Sequence, residues 1–245
     1  MEDFQPRPHH PPYSLMTSMA FACRMFLDLQ LFTIFLDLRR VLPEVKGRVL
    51  DVGCGNSPWK FLLPRSQATY VGIDYDHADE FAYSNPEAIR FDGTTIPFSN
   101  EDFDTVLCTE VLEHVYETRS MVREILRVLK PGGRAVITIP WSARWHYIPV
   151  DYFRCTPSAC QQLLSDFSRV SVSARGSDLV VIGNKIFVVW LRSLIPSRWF
   201  WTPMSIVAFL ASPLIFLLAL FCHFSLLTGL GSKDDPLGWT IIAEK

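Results

Sequence analysis

Three carboxylates and two histidines are spaced along the first two thirds of this chain as a ligand site would need them. Asp51-Val-Gly-Cys-Gly-Asn-Ser-Pro58 follows directly on the apolar pair Val49-Leu50. It reads as a strand that ends in a glycine-rich turn, with Ser57 suited to cap a helix and Pro58 to open it. Gly53 and Gly55 let the backbone bend sharply and come close to a ligand. A carboxylate at that turn repels a pyrophosphate, so Asp51 calls for a cationic or zwitterionic ligand instead. Asp74 ends Tyr70-Val-Gly-Ile-Asp74, nineteen positions after Gly55, where a carboxylate is placed to hold both hydroxyls of a ribose. Asp92, in Phe91-Asp-Gly-Thr-Thr-Ile-Pro-Phe98, suits an adenine amino group. His114, in Thr109-Glu-Val-Leu-Glu-His-Val115, is a base for neutral pH or, with Glu113, a group that orients the following helix. His146, in the aromatic run Trp141-Ser-Ala-Arg-Trp-His-Tyr147, is a second candidate base or part of a loop wall. Tyr152 and Arg154 suit contact with an anionic substrate, or fix their own loop.

Short, regular units must position these groups. Strand patterns run over Arg48–Val52, Tyr70–Ile73, Ala88–Phe91, Asp104–Cys108, Arg134–Ile139, Ser168–Ala174 and Trp239–Ala243, with helical patterns over Thr118–Leu129 and Thr156–Phe167. Thr156 is the expected cap of the latter. Alternation of buried strands with helices means a doubly wound, mostly parallel α/β sheet. In such a sheet the strand ends that carry Asp51, Asp74 and Asp92 face one crevice, where ligands bind.

The ordered series Val49-Leu-Asp-Val-Gly-Cys-Gly55, Gly72-Ile-Asp74, Phe91-Asp92, Phe98 through Val115 and Leu129-Lys-Pro-Gly-Gly-Arg-Ala-Val-Ile-Thr-Ile-Pro140 resembles the class I S-adenosylmethionine-dependent methyltransferases, in their small-molecule type 11 branch. Asp151-Tyr-Phe-Arg-Cys-Thr-Pro157 is similar to the segment before that family's last helix. The resemblance covers roughly 48–167 and implies a seven-stranded Rossmann-like sheet with S-adenosyl-L-methionine as cofactor. It implies that Asp51, Gly53 and Gly55 hold the methionine moiety and Asp74 the ribose. Asp92, Gly93 and Thr94 would frame adenine, while Cys108 and Thr109 would lie near the transferred methyl. Trp145, Tyr152 and Arg154 would face the substrate, and His114 and His146 would be the catalytic candidates. Two departures stand out. Ser57 replaces a usual glycine, and the fourteen residues between Ile73 and Ala88 leave the usual helix there short or missing.

Composition narrows the rest. The formal charge of −2 gives no footprint for nucleic acid. The turn Cys108-Thr-Glu-Val and the lack of any Pro-Cys dipeptide also argue against a base-methylating enzyme. An NAD-type oxidoreductase wants a third glycine and no Asp51, and a non-catalytic cofactor-binding protein tethered to a membrane is a further alternative. The six cysteines include no Cys-x-x-Cys, so reduced thiols and no metal are expected.

The apolar fraction of 49% is concentrated. Residues 1–14 read as a disordered tail and not as a cleavable signal. An apolar helix is expected over Leu15–Leu42, within 15–47, carrying the spaced pairs Arg24/Asp28 and Asp37/Arg40. It either packs over the core or lies on a membrane. The methyltransferase core is expected over 48–178, a hydrophobic helical insertion over 179–232 and the final strand over 233–245. Trp199–Ser232 contains no Asp, Glu, Lys or Arg. Met204–Leu230 exceeds the roughly 20 residues that cross a bilayer, and Arg192, Arg198, Trp199 and Trp201 resemble an interfacial anchor. If strands lie on both sides of it in one sheet, a single crossing is forbidden. The consistent form is a re-entrant or in-plane hairpin, helped by a break at Pro213. A true transmembrane helix, with the last residues no strand, and a soluble lid or dimer interface are the alternatives. The expected protein acts from the cytoplasmic side of a membrane on a lipid, a lipid-linked glycan or another hydrophobic small molecule.

Overall fold

The computed structural model describes residues 9–81, 85–146, 150–194 and 202–245. Residues 1–8 of the expected tail, and Arg198, Trp199 and Trp201 of the expected anchor, lie outside them.

Seven strands form one sheet: β1 (Gly47–Val52), β2 (Ala68–Tyr75), β3 (Ile89–Phe91), β4 (Phe103–Thr109), β5 (Leu129–Pro140), β6 (Arg169–Arg175) and β7 (Gly238–Glu244). Their order is β3-β2-β1-β4-β5-β7-β6. β1 to β5 pair in parallel, and β7 lies antiparallel between β5 and β6. The order reverses at β1, so the ends of β1 and β4 open the crevice where ligands bind in such sheets. The doubly wound Rossmann-like architecture expected from the alternation is the one found, down to an insertion between the last two strands.

Strand periodicity sorts the core onto two faces. Leu50 and Val52 of β1, with Val106 and Cys108 of β4 and Ile137 and Ile139 of β5, pack against helices α3 (Thr118–Val128) and α4 (Pro157–Leu163). Thr156 caps α4 as expected, accepting from Ala159 N at 3.3 Å. On the other face, Val49, Leu107 and Val136 meet Met25, Leu31, Ile34 and Leu38 of the N-terminal helices.

Those helices correct one expectation. The pattern over Leu15–Leu42 is not one helix but two, α1 (Leu15–Leu27) and α2 (Leu29–Val41), bent by 111°. Asp28 makes the break. It closes α1, its carboxylate accepts from Leu31 N at 3.1 Å to start α2, and it still pairs with Arg24 at 3.5 Å. The bend lets α2 follow the sheet, where Asp37 accepts from Thr240 Oγ1 of β7 at 2.7 Å.

The helix expected at Ser57–Pro58 is also absent. Ser57 takes a left-handed φ of 53°, and only a 3-10 turn, Lys60–Leu62, follows. Pro64 limits the segment, and Trp59 and Leu63 are buried against α1 and α2. The N-terminal helices thus cover the face that a longer helix would have covered. Between β2 and β3, a 3-10 turn at Ala78–Phe81 is the one helical element among the described residues.

Helices α5 (Asp178–Leu194) and α6 (Thr202–Thr228) leave β6 and return to β7. They pack on each other through Val180, Val181, Phe187, Ile215, Ala219 and Cys222. Their base is sealed where Asp178 N donates to Ser232 O at 3.0 Å and Ser232 N to Asp178 Oδ1 at 2.9 Å. Pro213 sits inside α6 without ending it, so the hairpin bend falls between α5 and α6 and not at Pro213.

Candidate active site

The ends of β1, β2, β3 and β4 surround a cavity of about 520 Å³. Its floor is the β1 turn. Gly53 and Gly55 have left-handed φ of 67° and 51°, and a Cβ on Gly53 would stand 2.5 Å from Val111 Cγ2. A side chain there would fill the space between the turn and the β4 end, so glycine is required for conformation and for room.

Asp51 is buried two residues before this turn and does not itself line the cavity. Its Oδ2 accepts from the Tyr70 hydroxyl at 2.7 Å, and the same hydroxyl lies 2.9 Å from Ser57 Oγ. Asp51 Oδ1 has no hydrogen-bond partner. Burial, against the Tyr70 hydrogen bond and with help from the Asp74 charge, pushes the Asp51 pKa up to about 7.

Asp74 braces the turn directly: its Oδ2 accepts from Gly55 N at 2.9 Å, and the carboxylate also lines the cavity. Asn85 holds the other side of Gly55, donating to its carbonyl at 2.9 Å. Asp92, Gly93 and Thr94 form the opposite rim. The exposed Asp92 carboxylate accepts from Thr95 N, Thr94 Oγ1 and Thr94 N at 3.0, 2.7 and 2.8 Å. These bonds hold its pKa down to about 2.

The β4 end forms the far wall. Thr109 and Glu110 line it, and Glu110 has a left-handed φ of 53°, a strained state that non-glycine residues keep where the surroundings enforce it. Here the enforcing partner is Arg175, fully buried at the end of β6, which donates to Glu110 Oε1 at 2.7 Å. His114, Tyr116, Glu117, Ser120 and Met121 continue the wall into α3. Leu31 and Ile34 of α2 and Trp59 add an apolar side.

Of the candidates read from sequence, Gly53, Gly55, Asp74, Asp92, Gly93, Thr94, Thr109, His114 and Tyr152 line the cavity. Cys108 is buried in the core facing α3 and does not reach it. Burial, followed by the Glu113 and Asp51 charges, pushes its thiol pKa well up, so it is an inert thiol. Trp145 is half-exposed outside the lining. Arg154 is committed to a two-armed pair with Asp151, which fixes the loop and leaves Tyr152 to reach the cavity. His146 stands directly behind His114, its Nε2 3.2 Å from His114 Nε2. Burial, partly offset by the Val150 carbonyl, lowers the His114 pKa to about 4, so its imidazole is neutral at physiological pH.

Sequence reading missed Tyr70, Glu110 and Asn85. Tyr70 carried a signal in hindsight, because it shares the face of Val49 and Asp51. Glu110 and Asn85 carried none.

The cavity takes Asp74, Asp92, Glu110 and Glu117 from its lining, and no Lys or Arg among the described residues. Such a pocket suits a cation and repels phosphate. A topological switch point, a glycine turn braced by carboxylates and this sheet order together define the Rossmann-like methyltransferase fold. Residues 50–137 match the family model described as a methyltransferase domain. An uncharacterized methyltransferase of Mycobacterium sp. (strain KMS) is 36% identical over 94 residues, 37% of each chain. The demethylmenaquinone methyltransferase of Clavibacter sepedonicus is 34% identical over 106 residues, 40% of this chain and 43% of that one. The ubiquinone biosynthesis O-methyltransferase of Hahella chejuensis is 36% identical over 108 residues, 40% and 44%. The chain thus spans well under half the length of these relatives. Among solved structures, a SAM dependent methyltransferase from Archaeoglobus fulgidus aligns with TM-score 0.53 and 18% identity over 92% of this chain and 99% of that one. The 4+2 cyclase SpnF aligns with TM-score 0.51 and 17% identity over 99% of both. Residues 50–137 are thus similar to a methyltransferase domain, and the likeness to both a methyltransferase and a cyclase shows the fold and not the reaction.

Proposed function

We propose that this protein is an S-adenosylmethionine-dependent methyltransferase acting on a small, lipid-like acceptor at a membrane surface. The observation that carries this reading is the acidic cavity built on the Gly53–Gly55 turn, with one buried oxygen of Asp51 unpartnered behind it. An ammonium-bearing, positively charged cofactor suits the Asp74, Asp92, Glu110 and Glu117 carboxylates of the cavity lining, and when bound it would bring a methyl group already activated by its sulfonium.

The chain's own residues fit such a ligand. The Gly53–Gly55 backbone and Asp51 would hold the methionine end, Asp74 the ribose and the Asp92–Thr94 rim the adenine. Reaction then depends mostly on orientation and on exclusion of water, which Val111, Met121, Trp59, Leu31 and Ile34 provide from the walls. His114 and Tyr152 face the remaining space, where an acceptor would lie, and His146 stands behind His114 outside the lining.

Membrane action is supported by the α5–α6 hairpin. Helix Pro203–Thr228 is long and apolar enough to cross a bilayer, and its two ends connect to β6 and β7 of the same sheet. A single crossing would separate strands that are hydrogen-bonded to each other. The hairpin therefore enters and leaves from one side, next to the active-site edge, where Lys185 of α5 donates to the Ser142 carbonyl after β5 at 2.5 Å. Two similar enzymes are named for menaquinone and ubiquinone synthesis, and an apolar acceptor of that kind suits a membrane-docked cavity.

Calorimetric titration with S-adenosylmethionine tests the cofactor. Stoichiometric binding that is lost in Asp51→Ala is expected, and no binding to the unsubstituted chain ends the reading. Incubation with methyl-labelled cofactor and separated lipid and soluble extracts then tests the acceptor. Label is expected in the lipid fraction, and label confined to soluble metabolites would sink the membrane half.

A further inference from the structure

His114 and His146 are 32 residues apart in sequence and meet end to end, Nε2 to Nε2 at 3.2 Å, with their rings crossed at 81°. Both imidazoles are held from the far side. His114 Nδ1 is 2.7 Å from the Val150 carbonyl. His146 Nδ1 is 3.1 Å from the Arg144 carbonyl and 3.3 Å from an Asp151 carboxylate oxygen. A carbonyl only accepts, so each Nδ1 carries the hydrogen. In neutral rings the two Nε2 lone pairs are then aimed at each other. Glu113 closes the cluster. It is buried, neither of its carboxylate oxygens has a hydrogen-bond partner, and one stands 3.6 Å from His114 Nε2. Facing lone pairs beside an unpartnered buried carboxylate are costly without a positive charge between them.

One ligand atom from each of the three residues lies within 4.8 Å of the others. Two nitrogens bound at about 2.0–2.1 Å to a tetrahedral ion stand roughly 3.3 Å apart, which is the separation these imidazoles already have. The far-side partners are those that metal-binding histidines use to fix ring orientation, a backbone carbonyl for one and a carboxylate for the other. Asp151 is itself fixed by Arg154, and the loop that brings His146 is pinned where Tyr152 N donates to the Glu113 carbonyl at 2.8 Å.

We propose that Glu113, His114 and His146 form a binding site for a first-row divalent cation of the zinc type. Two imidazoles and one carboxylate favour such an ion over magnesium or calcium, which prefer all-oxygen sites. Three protein ligands leave a fourth position open. His114 is the one of the three ligands that lines the cavity, so the bound ion would fix that part of its wall. With the ion on its Nε2 and the hydrogen of its Nδ1 on the Val150 carbonyl, His114 has no lone pair left to take a proton. The site rests on its own geometry and does not require the methyl-transfer reading.

Full-length protein stripped with a chelator is titrated with Zn2+ and, separately, with Co2+ and Mg2+. One equivalent of Zn2+ or Co2+ and no Mg2+ is expected. The Co2+ form should show visible bands of a nitrogen–oxygen site without sulfur-to-cobalt charge transfer, which separates this cluster from the six free thiols. Glu113→Gln and His146→Ala should each weaken binding at least about a hundredfold, and Asp151→Asn roughly 10- to 100-fold. Should either ligand variant fail to fold, the unsubstituted chain still decides, because Zn2+ must shift the imidazole Nε2 resonances of both His114 and His146. No stoichiometric uptake, a thiolate spectrum, affinity unchanged in both folded variants, or a proton shared between the two Nε2 atoms that persists with Zn2+ present would overturn the site.

Discussion

Tyr70 reaches across Gly72 to donate its hydroxyl to Asp51 at 2.7 Å, and the sheet register explains how. Gly72 pairs with Asp51 across β1 and β2, and a Cβ on Gly72 would stand 3.2 Å from the Tyr70 hydroxyl and 2.8 Å from Cys54 Sγ. The missing side chain opens the path. Tyr70→Phe should leave both Asp51 oxygens without partners and weaken S-adenosylmethionine binding about tenfold, the scale of one hydrogen bond to a charged group. Gly72→Ala should act in the same direction by displacing the hydroxyl. Calorimetry at pH 7.5 measures both, and unchanged affinity in Tyr70→Phe would remove Tyr70 from the site.

The raised pKa of Asp51 predicts how stability depends on pH. The folded chain holds the Asp51 proton up to about pH 7, while an unfolded carboxyl near 3.8 has already released it. The folded state therefore binds more protons across that window, and this contribution to stability is full below about pH 4 and lost as pH rises towards 7. Every tenfold difference in proton affinity between the two states is worth about 1.4 kcal/mol. Asp51→Asn removes the titration and leaves the opposing carboxylates Asp92 and Asp151 untouched. In the ligand-free protein the melting temperature of Asp51→Asn should gain on the unsubstituted chain from pH 4 to 7 and hold level above. A difference that is flat with pH, or shrinks, contradicts the assignment.

Sequence showed the frame of this site better than its interior. The strand pattern and turn residues of Asp51–Gly55, Asp74 and Asp92 are local signals, and the sheet places those segments at one crevice. What was hidden depends on contacts between distant segments. Nothing in the spacing of His114 and His146 indicates that the loop after β5 folds back onto the turn after β4, so a metal was not expected there. The partner of Glu110 is Arg175, 65 positions away. The two missed local features have a shared cause. Asp28 reads as one half of a helical ion pair but its carboxylate also caps a helix, and Ser57 reads as a cap but its hydroxyl is used by Tyr70 and Asn85.

The Arg175–Glu110 pair is unequal in burial, since the Arg175 side chain is fully buried and that of Glu110 keeps 26% of its exposure. Removing either partner therefore has different consequences. Glu110→Gln strands a buried guanidinium charge, whose remaining contacts are the carbonyls of Ile139 and Gln30 and the Thr33 hydroxyl at 3.3–3.5 Å, and should cost about 3 kcal/mol. Arg175→Met replaces the charge with an apolar side chain of similar length and leaves Glu110 able to reach water, so it should cost less than half as much. Urea unfolding of both variants reads the order. If Arg175→Met is the more damaging, the pair is not governed by desolvation of the arginine.

Helix α6 keeps large apolar side chains outward along its length, with Phe209, Leu214 and Leu217 exposed at 71, 69 and 60%. The exposed Leu15, Met16 and Met19 of α1 add a second apolar surface. A lipid contact and a contact between copies of the chain would both cover such a face, and they differ in what charge does to it. In hydrocarbon, each aspartate near the helix centre costs about 2.5–3.5 kcal/mol, so the combined Phe209→Asp, Leu214→Asp and Leu217→Asp variant should leave the membrane pellet for the soluble fraction. The cavity lies on the sheet and not on the hairpin, so the solubilised variant should still bind S-adenosylmethionine with its original affinity while losing methylation of lipid acceptors. If the variant stays with membranes, or if it merely passes from dimer to monomer in a protein that never sedimented with them, α6 is a protein contact and the membrane half of the proposed function falls.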